Sequence, residues 1–307
     1  MREVDLSVSL AGLKLANPTM LASGILGYSS ATLAEVERNG AGAVVTKSVC
    51  LKPREGYANP TIVETDCGLI NAMGLPNPGI NEFTKEIKEI KSSLKVPVIV
   101  SVFGFSVNEY VTASKKAMAA GADAIELNVS CPHVAKTGSE MGQDPELLSQ
   151  IVSKVKSSVE SPVFAKLSPN VTDIVDIARS AEDAGADALT IMNTVRALAI
   201  DVETQIPILA NTVGGLSGPH VKPIALRNIY EVFERVHVPI IGCGGISNWR
   251  DAVEFLLAGA SALQIGTAVA TVGTRIFSDV ALGLRVYLMK KNYGRVDEIV
   301  GLAHKNR

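Results

Sequence analysis

Two short signatures alternate along the chain, and their strict interleaving leaves few folds open. The first is a proline that opens an apolar run: Pro18-Thr19-Met20-Leu21-Ala22, Pro97-Val98-Ile99-Val100, Pro162-Val163-Phe164-Ala165 and Pro239-Ile240-Ile241-Gly242. The second is a glycine with small residues leading into another such run. It occurs as Gly40-Ala41-Gly42-Ala43-Val44-Val45, Gly121-Ala122-Asp123-Ala124-Ile125, Gly185-Ala186-Asp187-Ala188-Leu189 and Gly259-Ala260-Ser261-Ala262-Leu263. Together they mark eight strands. Stretches with helical periodicity lie between them, at 31–38, 81–93, 108–119, 145–159, 173–184, 221–235, 248–257 and 274–290. Each glycine of the second signature follows such a stretch, where a helix C-cap needs a left-handed backbone.

Strand and helix repeated eight times, with strands apolar on both faces, predict the α/β class and a single (β/α)8 TIM barrel. Periodicity alone does not show closure, so an open doubly wound sheet is the alternative. The 307 residues accommodate one barrel of about 250 residues plus insertions, and residues 1–307 read as one domain. Residues 5–15 alternate and break at Ala11-Gly12, a hairpin suited to covering the barrel floor. Residues 50–80, rich in Pro, Gly and Asn, form a long insertion after the second strand, and loops of that length are usually functional.

A formal net charge of −2 without Lys/Arg clusters argues against nucleic acid as a partner. No apolar run reaches the roughly 18 to 20 residues that span a bilayer, so the expected location is cytoplasmic. Cys50, Cys67, Cys131 and Cys243 show no C-x-x-C spacing, which points to neither a zinc site nor a self-contained iron-sulfur site.

The residues leaving each strand at its C-terminal end are where a barrel presents its chemistry. They are Ser23-Gly24, Thr46-Lys47-Ser48, Ser101, Asn128 with Cys131, Lys166 with Ser168, Asn193-Thr194, Gly242 to Gly245, and Gly266-Thr267. Two lysines and two asparagines there are costly unless paired. No carboxylate ends the strands that carry Lys47 or Lys166, which favours an anionic ligand over an ion pair. The glycine exits of the seventh and eighth strands fall where barrels commonly bind phosphate, although Gly-Gly also serves as a plain tight turn. Cys50, Cys67 and Cys243 read as inert small hydrophobes. Cys131 differs: it lies past its strand and leads into the polar loop 134–142, which suits a base or nucleophile beneath a closing loop. The stretch from Asn71 to Gly79 is explained either as a turn-rich loop or as a set of amides that bind a planar ring by its edge.

These motifs resemble the catalytic subunits of dihydroorotate dehydrogenases, FMN enzymes of pyrimidine (UMP) synthesis, over nearly the whole chain. The resemblance rests on Ala22-Ser23-Gly24, Thr46-Lys47-Ser48, Asn71-Ala72-Met73-Gly74-Leu75 with Asn77-Pro78-Gly79, Asn128-Val129-Ser130-Cys131-Pro132, Asn193-Thr194, Gly214-Gly215-Leu216-Ser217-Gly218-Pro219 and Gly244-Gly245. It implies that FMN is held by Ser23, Lys47, Ser48, Asn128, Lys166, Gly218, Gly244, Gly245, Gly266 and Thr267, with Met192 near the ring through its backbone. It implies that dihydroorotate contacts Lys47, Asn71, Ala72, Met73, Gly74, Leu75, Asn128, Asn193 and Thr194, with Cys131 as the active-site base. No metal site is implied. The Cys-Pro-x-Val-x-Lys-x-Gly form at Cys131 to Gly138, with Arg54-Glu55-Gly56 and Val63-Glu64-Thr65, looks more like the NAD-linked two-subunit branch (class 1B) than the fumarate-using homodimer. In that branch a homodimer of this chain joins a second subunit carrying FAD and a [2Fe-2S] cluster, and electrons pass on to NAD. His133 and Ser101 depart from the pattern, each standing where relatives usually have asparagine. The rival readings are the same oxidation with fumarate or another acceptor and no partner, and a non-redox phosphate-binding barrel.

Overall fold

The computed structural model describes residues 4–66, 68–129 and 141–305; Cys67, Cys131 and His133 lie outside the described residues. The chain opens with the antiparallel hairpin β1 (Val8–Leu10) and β2 (Leu13–Leu15). Strands β3 (Thr19–Leu21) and β4 (Ala43–Val45) precede a first excursion with β5 (Ile62–Thr65) and β6 (Gly68–Asn71). Next come β7 (Val98–Val102), β8 (Ala124–Asn128), β9 (Val163–Leu167) and β10 (Ala188–Ile191). A second excursion holds β11 (Val195–Leu198), β12 (Ile200–Asp201), β13 (Ile206–Pro207) and β14 (Val213–Ser217), before β15 (Ile240–Cys243) and β16 (Ala260–Ile265). Strands β3, β4, β7, β8, β9, β10, β15 and β16 close into one parallel barrel, so the open-sheet alternative is excluded. All eight strands arise at the eight signatures.

The helices that cover the barrel are α1 (Ser30–Arg38), α2 (Ile80–Ser93), α3 (Val107–Ala119), α4 (Pro145–Lys156), α5 (Ile174–Asp183), α6 (Lys222–Phe233), α7 (Trp249–Ala258), the short α8 (Ala268–Val272) and α9 (Ile276–Lys291). Local chemistry sets their ends. Asp144 accepts from the Glu146 and Leu147 amides, with Pro145 opening α4, and Asn248 forms a capping box with Asp251 at α7. α4 stops at Lys156, three residues short of the periodic stretch, because Ser157 and Ser158 already turn the chain there. Gly40, Gly121, Gly185 and Gly259 have φ of 92°, 103°, 95° and 124°, as the capping argument requires. The aspartates of the second signature also have a task. Asp123 accepts from the Val98 amide and Lys91, and Asp187 accepts from the Val163 amide and Lys156, so each stitches the start of one strand to the one before it.

Alternation within each strand sorts the core into two sets. Leu21, Val44, Val98, Val100, Ile125, Leu127, Val163, Ala165, Leu189 and Leu263 face the helices. Met20, Ala43, Val45, Ile99, Ala124, Phe164, Ala188, Ile241 and Ala262 fill the barrel interior together with Leu10 and Leu15 of the hairpin. The hairpin therefore stoppers the floor, as its alternation suggests. The long insertion is more ordered than a turn-rich loop: β5 and β6 join β14 and β11 in a four-stranded antiparallel sheet, order β11-β14-β6-β5. The strands contributed by the second excursion carry no strong periodic signal, since Gly214, Gly215 and Ser217 interrupt it. Among the described residues no helix is long and apolar enough to cross a membrane.

Candidate active site

Because side chains in a strand repeat every second residue, each barrel strand that contributes a floor residue also contributes the residue two positions on, one layer higher. Above Ile99, Ala124, Phe164, Ala188, Ile241 and Ala262 come Ser101, Glu126, Lys166, Thr190, Cys243 and Gln264. Two positions further lie Asn128 after Glu126, Ser168 after Lys166, Met192 after Thr190, Gly245 after Cys243 and Gly266 after Gln264. The interior thus passes from apolar floor to polar middle to mouth.

The middle layer is a connected network. Lys166 Nζ donates to Gln264 Oε1 at 2.8 Å and lies 3.4 Å from Ser23 Oγ and 3.9 Å from Glu126 Oε1. Glu126 Oε2 accepts from Thr190 Oγ1 at 3.1 Å and, at a short distance, from Gln264 Nε2. This corrects one expectation. Lys166 does have a carboxylate partner, which comes from the middle of β8 rather than from a strand end, where reading only the exits overlooks it. Glu126 and Gln264 are the site residues that sequence reasoning missed. Their signal was a polar residue two positions after a small interior residue, in otherwise apolar strands. Burial works against the Lys166 ammonium, yet the nearby Glu126 carboxylate and Cys243 outweigh it and raise its pKa. Burial likewise pushes the Cys243 thiol up, only partly offset by Lys166, in keeping with an inert thiol.

At the mouth, Ser48 Oγ and Ser101 Oγ lie 2.8 Å apart, Asn128 Nδ2 donates to Ser48 Oγ at 3.1 Å, and Asn193 Nδ2 donates to Asn128 Oδ1 at 3.3 Å. The asparagines therefore pair partly with each other, which lowers the cost of placing them here without a ligand. The buried Tyr110 hydroxyl holds the Asn128 carbonyl at 2.9 Å, fixing the backbone just before Ser130-Cys131. Lys47 differs from Lys166: among the described residues no carboxylate pairs with it, and burial depresses its pKa.

Gly218, Gly244 and Gly245 have φ of 100°, 126° and 85°, so the turns they make suit glycine. A Cβ on Gly245 would sit 2.9 Å from the Gly218 carbonyl oxygen and from Lys222, which shows how closely these turns nest. Thr267 Oγ1 lies 2.8 Å from Ser217 Oγ, tying the exit of β16 to the end of β14. The glycine exits and Gly218 thus form one rim, with α8 starting directly after Thr267. This cradle of close backbone with a hydroxyl at its edge, beside buried Lys166, fits a phosphate and the flavin attached to it. Met192 meets this rim through its backbone, its amide donating to the Cys243 carbonyl at 2.8 Å.

The excursions bring the remaining predicted residues to the same end. Asn71 pairs with Ile62 and Gly215, and its side chain reaches the Gly215 carbonyl at 3.4 Å. Leu75 and Gly74 have positive φ, 56° and 70°. The Ala72-Met73-Gly74-Leu75 turn is pinned by Tyr57 N to Met73 O at 3.1 Å, Arg54 Nε to Gly74 O at 3.3 Å and Asn77 Nδ2 to Leu75 O at 2.9 Å. Thr194 leads from β10 into β11 of the same sheet, and its carbonyl accepts from Asn170. Elsewhere His304 is clamped between the Tyr230 and Phe233 rings and bonds the Ala258 carbonyl, a structural role. Among the described residues no group of three His, Cys, Asp or Glu side chains could hold a metal.

The dihydroorotate dehydrogenase family profile matches residues 5–288. The chain is 51% identical over 300 residues to the "Dihydroorotate dehydrogenase B (NAD(+)), catalytic subunit" of Pyrococcus abyssi, covering 98% of this chain and 99% of that one. It is 49% identical over 302 residues to the protein of the same name from Pyrococcus furiosus, at 98% and 100% coverage. With the Thermoplasma volcanium protein of that name it shares 50% identity over 301 residues, at 98% and 99% coverage. A likeness of this depth along the whole barrel, mouth included, means that the chain belongs to the dihydroorotate dehydrogenase family.

Proposed function

We infer that this chain is the catalytic subunit of an NAD-linked dihydroorotate dehydrogenase and oxidises dihydroorotate to orotate in pyrimidine synthesis. The observation that carries the reading is the convergence of Lys47, Asn128, Asn193, the Asn71–Leu75 turn and the Gly218, Gly244–Gly245 rim on one end of one barrel. The names of its relatives, catalytic subunits of NAD-dependent enzymes, support the same assignment.

Ser23, Lys47, Ser48, Asn128, Lys166, Gly218, Gly244, Gly245, Gly266 and Thr267, with Met192 beside them, would hold FMN, which would supply a hydride acceptor for carbon 6 of dihydroorotate. Cys131 takes the proton from carbon 5. Asn71, Asn128, Asn193, Thr194 and the backbone of Ala72, Met73, Gly74 and Leu75 fix the edges of the pyrimidine ring, so that both C–H bonds are presented together. Lys47, lacking a carboxylate partner among the described residues and depressed by burial, meets the substrate carboxylate, whose charge offsets that burial. Lys166 is the cation at the flavin. A partner subunit carrying FAD and a [2Fe-2S] cluster, joined to a homodimer of this chain in the cytoplasm, takes the electrons to NAD.

Two measurements test this. The purified chain shows flavin bands that bleach on anaerobic addition of dihydroorotate; a colourless sample that gains no flavin bands with FMN rejects the reading. Cys131→Ser keeps the flavin and loses most of the bleaching rate, and an unchanged rate removes Cys131 from the reaction. For the partner, the isolated chain reduces neither NAD nor fumarate at rates that match its flavin reduction, whereas NAD turnover by this chain alone contradicts the two-subunit assignment.

A further inference from the structure

The middle layer contains a buried acid that the reaction does not use. Glu126 is fully buried at the centre of β8, its Oε2 accepting from Gln264 and Thr190, while Oε1 has no hydrogen-bond donor among the described residues and faces only the Lys166 ammonium at 3.9 Å. An isolated carboxylate in such a place would protonate or be replaced by an apolar residue, since burying a charge is costly unless it is paired. The Gln264 amide explains the arrangement. Its oxygen accepts from Lys166 and its nitrogen donates to Glu126, so it bridges the two groups and fixes their positions relative to one another.

We propose that Glu126 is a positioning residue, whose buried carboxylate, with Gln264 as the bridge, holds Lys166 in place and cationic beneath the flavin. The inference rests on the assignment of FMN to this mouth. Other groups facing Lys166 are the Ser23 hydroxyl from the exit of β3, Thr190 from β10 and the Cys243 thiol from β15. None of these carries a permanent negative charge. Without Glu126 a lysine at 4% exposure keeps only neutral acceptors and the Cys243 thiol against its desolvation, and it sheds its proton more readily as pH rises. The cation would then be missing when negative charge builds on the reduced ring.

The test is the midpoint potential of the FMN-loaded chain from pH 6 to 10. The natural protein shows no ionisation from Lys166 in that range. Glu126→Gln adds a new inflection: near pH 6 its potential is no lower than that of the natural protein, and on the alkaline side reduction becomes at least tenfold less favourable, about 30 mV for a two-electron couple. Glu126→Asp, which keeps the charge on a shorter arm, moves the inflection toward the natural profile. A Glu126→Gln profile that parallels the natural one across the range overturns the proposal. Should Glu126→Gln fail to fold, the natural protein still decides, because an inflection that vanishes in Lys166→Met and lies well below the ordinary lysine range shows that the carboxylate does not keep Lys166 charged. A chain that binds no FMN at all defeats the functional assignment and this inference with it, whereas a chain that binds FMN and gives parallel profiles defeats the inference alone.

Discussion

The floor and the middle layer of the barrel are built from the same strands, two residues apart, and could hardly differ more. Phe164 and Lys166 are neighbours on one face of β9, as Ala124 and Glu126 are on β8 and Ala262 and Gln264 on β16. The floor meets only hydrocarbon, supplied by the hairpin residues Leu10 and Leu15. One layer up, at equal depth from solvent, every large side chain is polar and most of their atoms are satisfied by one another. A floor stabilises by burial and shape, a middle layer by mutual satisfaction of charge and hydrogen bonds, and the second remains worthwhile only because something must be held at the mouth above it.

Three substitutions sharpen or break that contrast. The largest effect on stability belongs to the floor: Phe164→Ala leaves a cavity under the network and costs about 3–5 kcal/mol in urea unfolding, while the flavin bands of the folded fraction keep their position. A shift of those bands would mean that floor and mouth are not separable.

Lys47→Met comes next. It removes a charge-assisted contact worth about 1.5–3 kcal/mol, so orotate binding weakens about tenfold to a hundredfold. Ligand-free stability moves the other way. The folded Lys47 pKa lies below its unfolded value, so between the two the unfolded chain binds more protons and stability rises with pH; below both, the charged lysine carries its full desolvation penalty. Lys47→Met removes that penalty, so the ligand-free variant melts no lower than the natural protein at neutral pH, and lower melting contradicts the picture of a cation kept for its ligand. The same sign applies to the ligand: in the natural protein orotate titrations weaken on the alkaline side before ordinary lysines titrate, and the variant lacks that limb.

The smallest effect is expected from Ser101→Ala, which breaks the 2.8 Å contact with Ser48 at the edge of the middle layer and costs about 0.5–1.5 kcal/mol in thermal unfolding. A loss far beyond that would assign Ser101 to the ligand itself.

The chain could be read as far as it could because its periodicity is local. Proline before a strand and glycine after a helix act through φ and capping, which depend on a residue and its immediate neighbours, so the eight strands and the strand-end residues were legible. Lys47, Asn128 and Lys166 stood out for the same reason, as polar groups where apolar runs stop. Glu126 and Gln264 escaped notice because each sits inside such a run, and their meaning lies 138 positions apart in the chain. The sheet that carries Asn71 was similarly hidden, since β6 pairs with β14 across 144 positions and glycines blur its alternation.

The sequence by itself determined the eight barrel strands, their order along the chain, which side chains share a face and which exits hold glycine, because backbone sterics and the two-residue repeat are short-ranged. Only the tertiary structure decided closure, and with it that a lysine on one strand, a glutamine on another and a glutamate on a third lie within reach of a common charge. Electrostatic pairing acts through space, and the distances that set it exist once the barrel has closed.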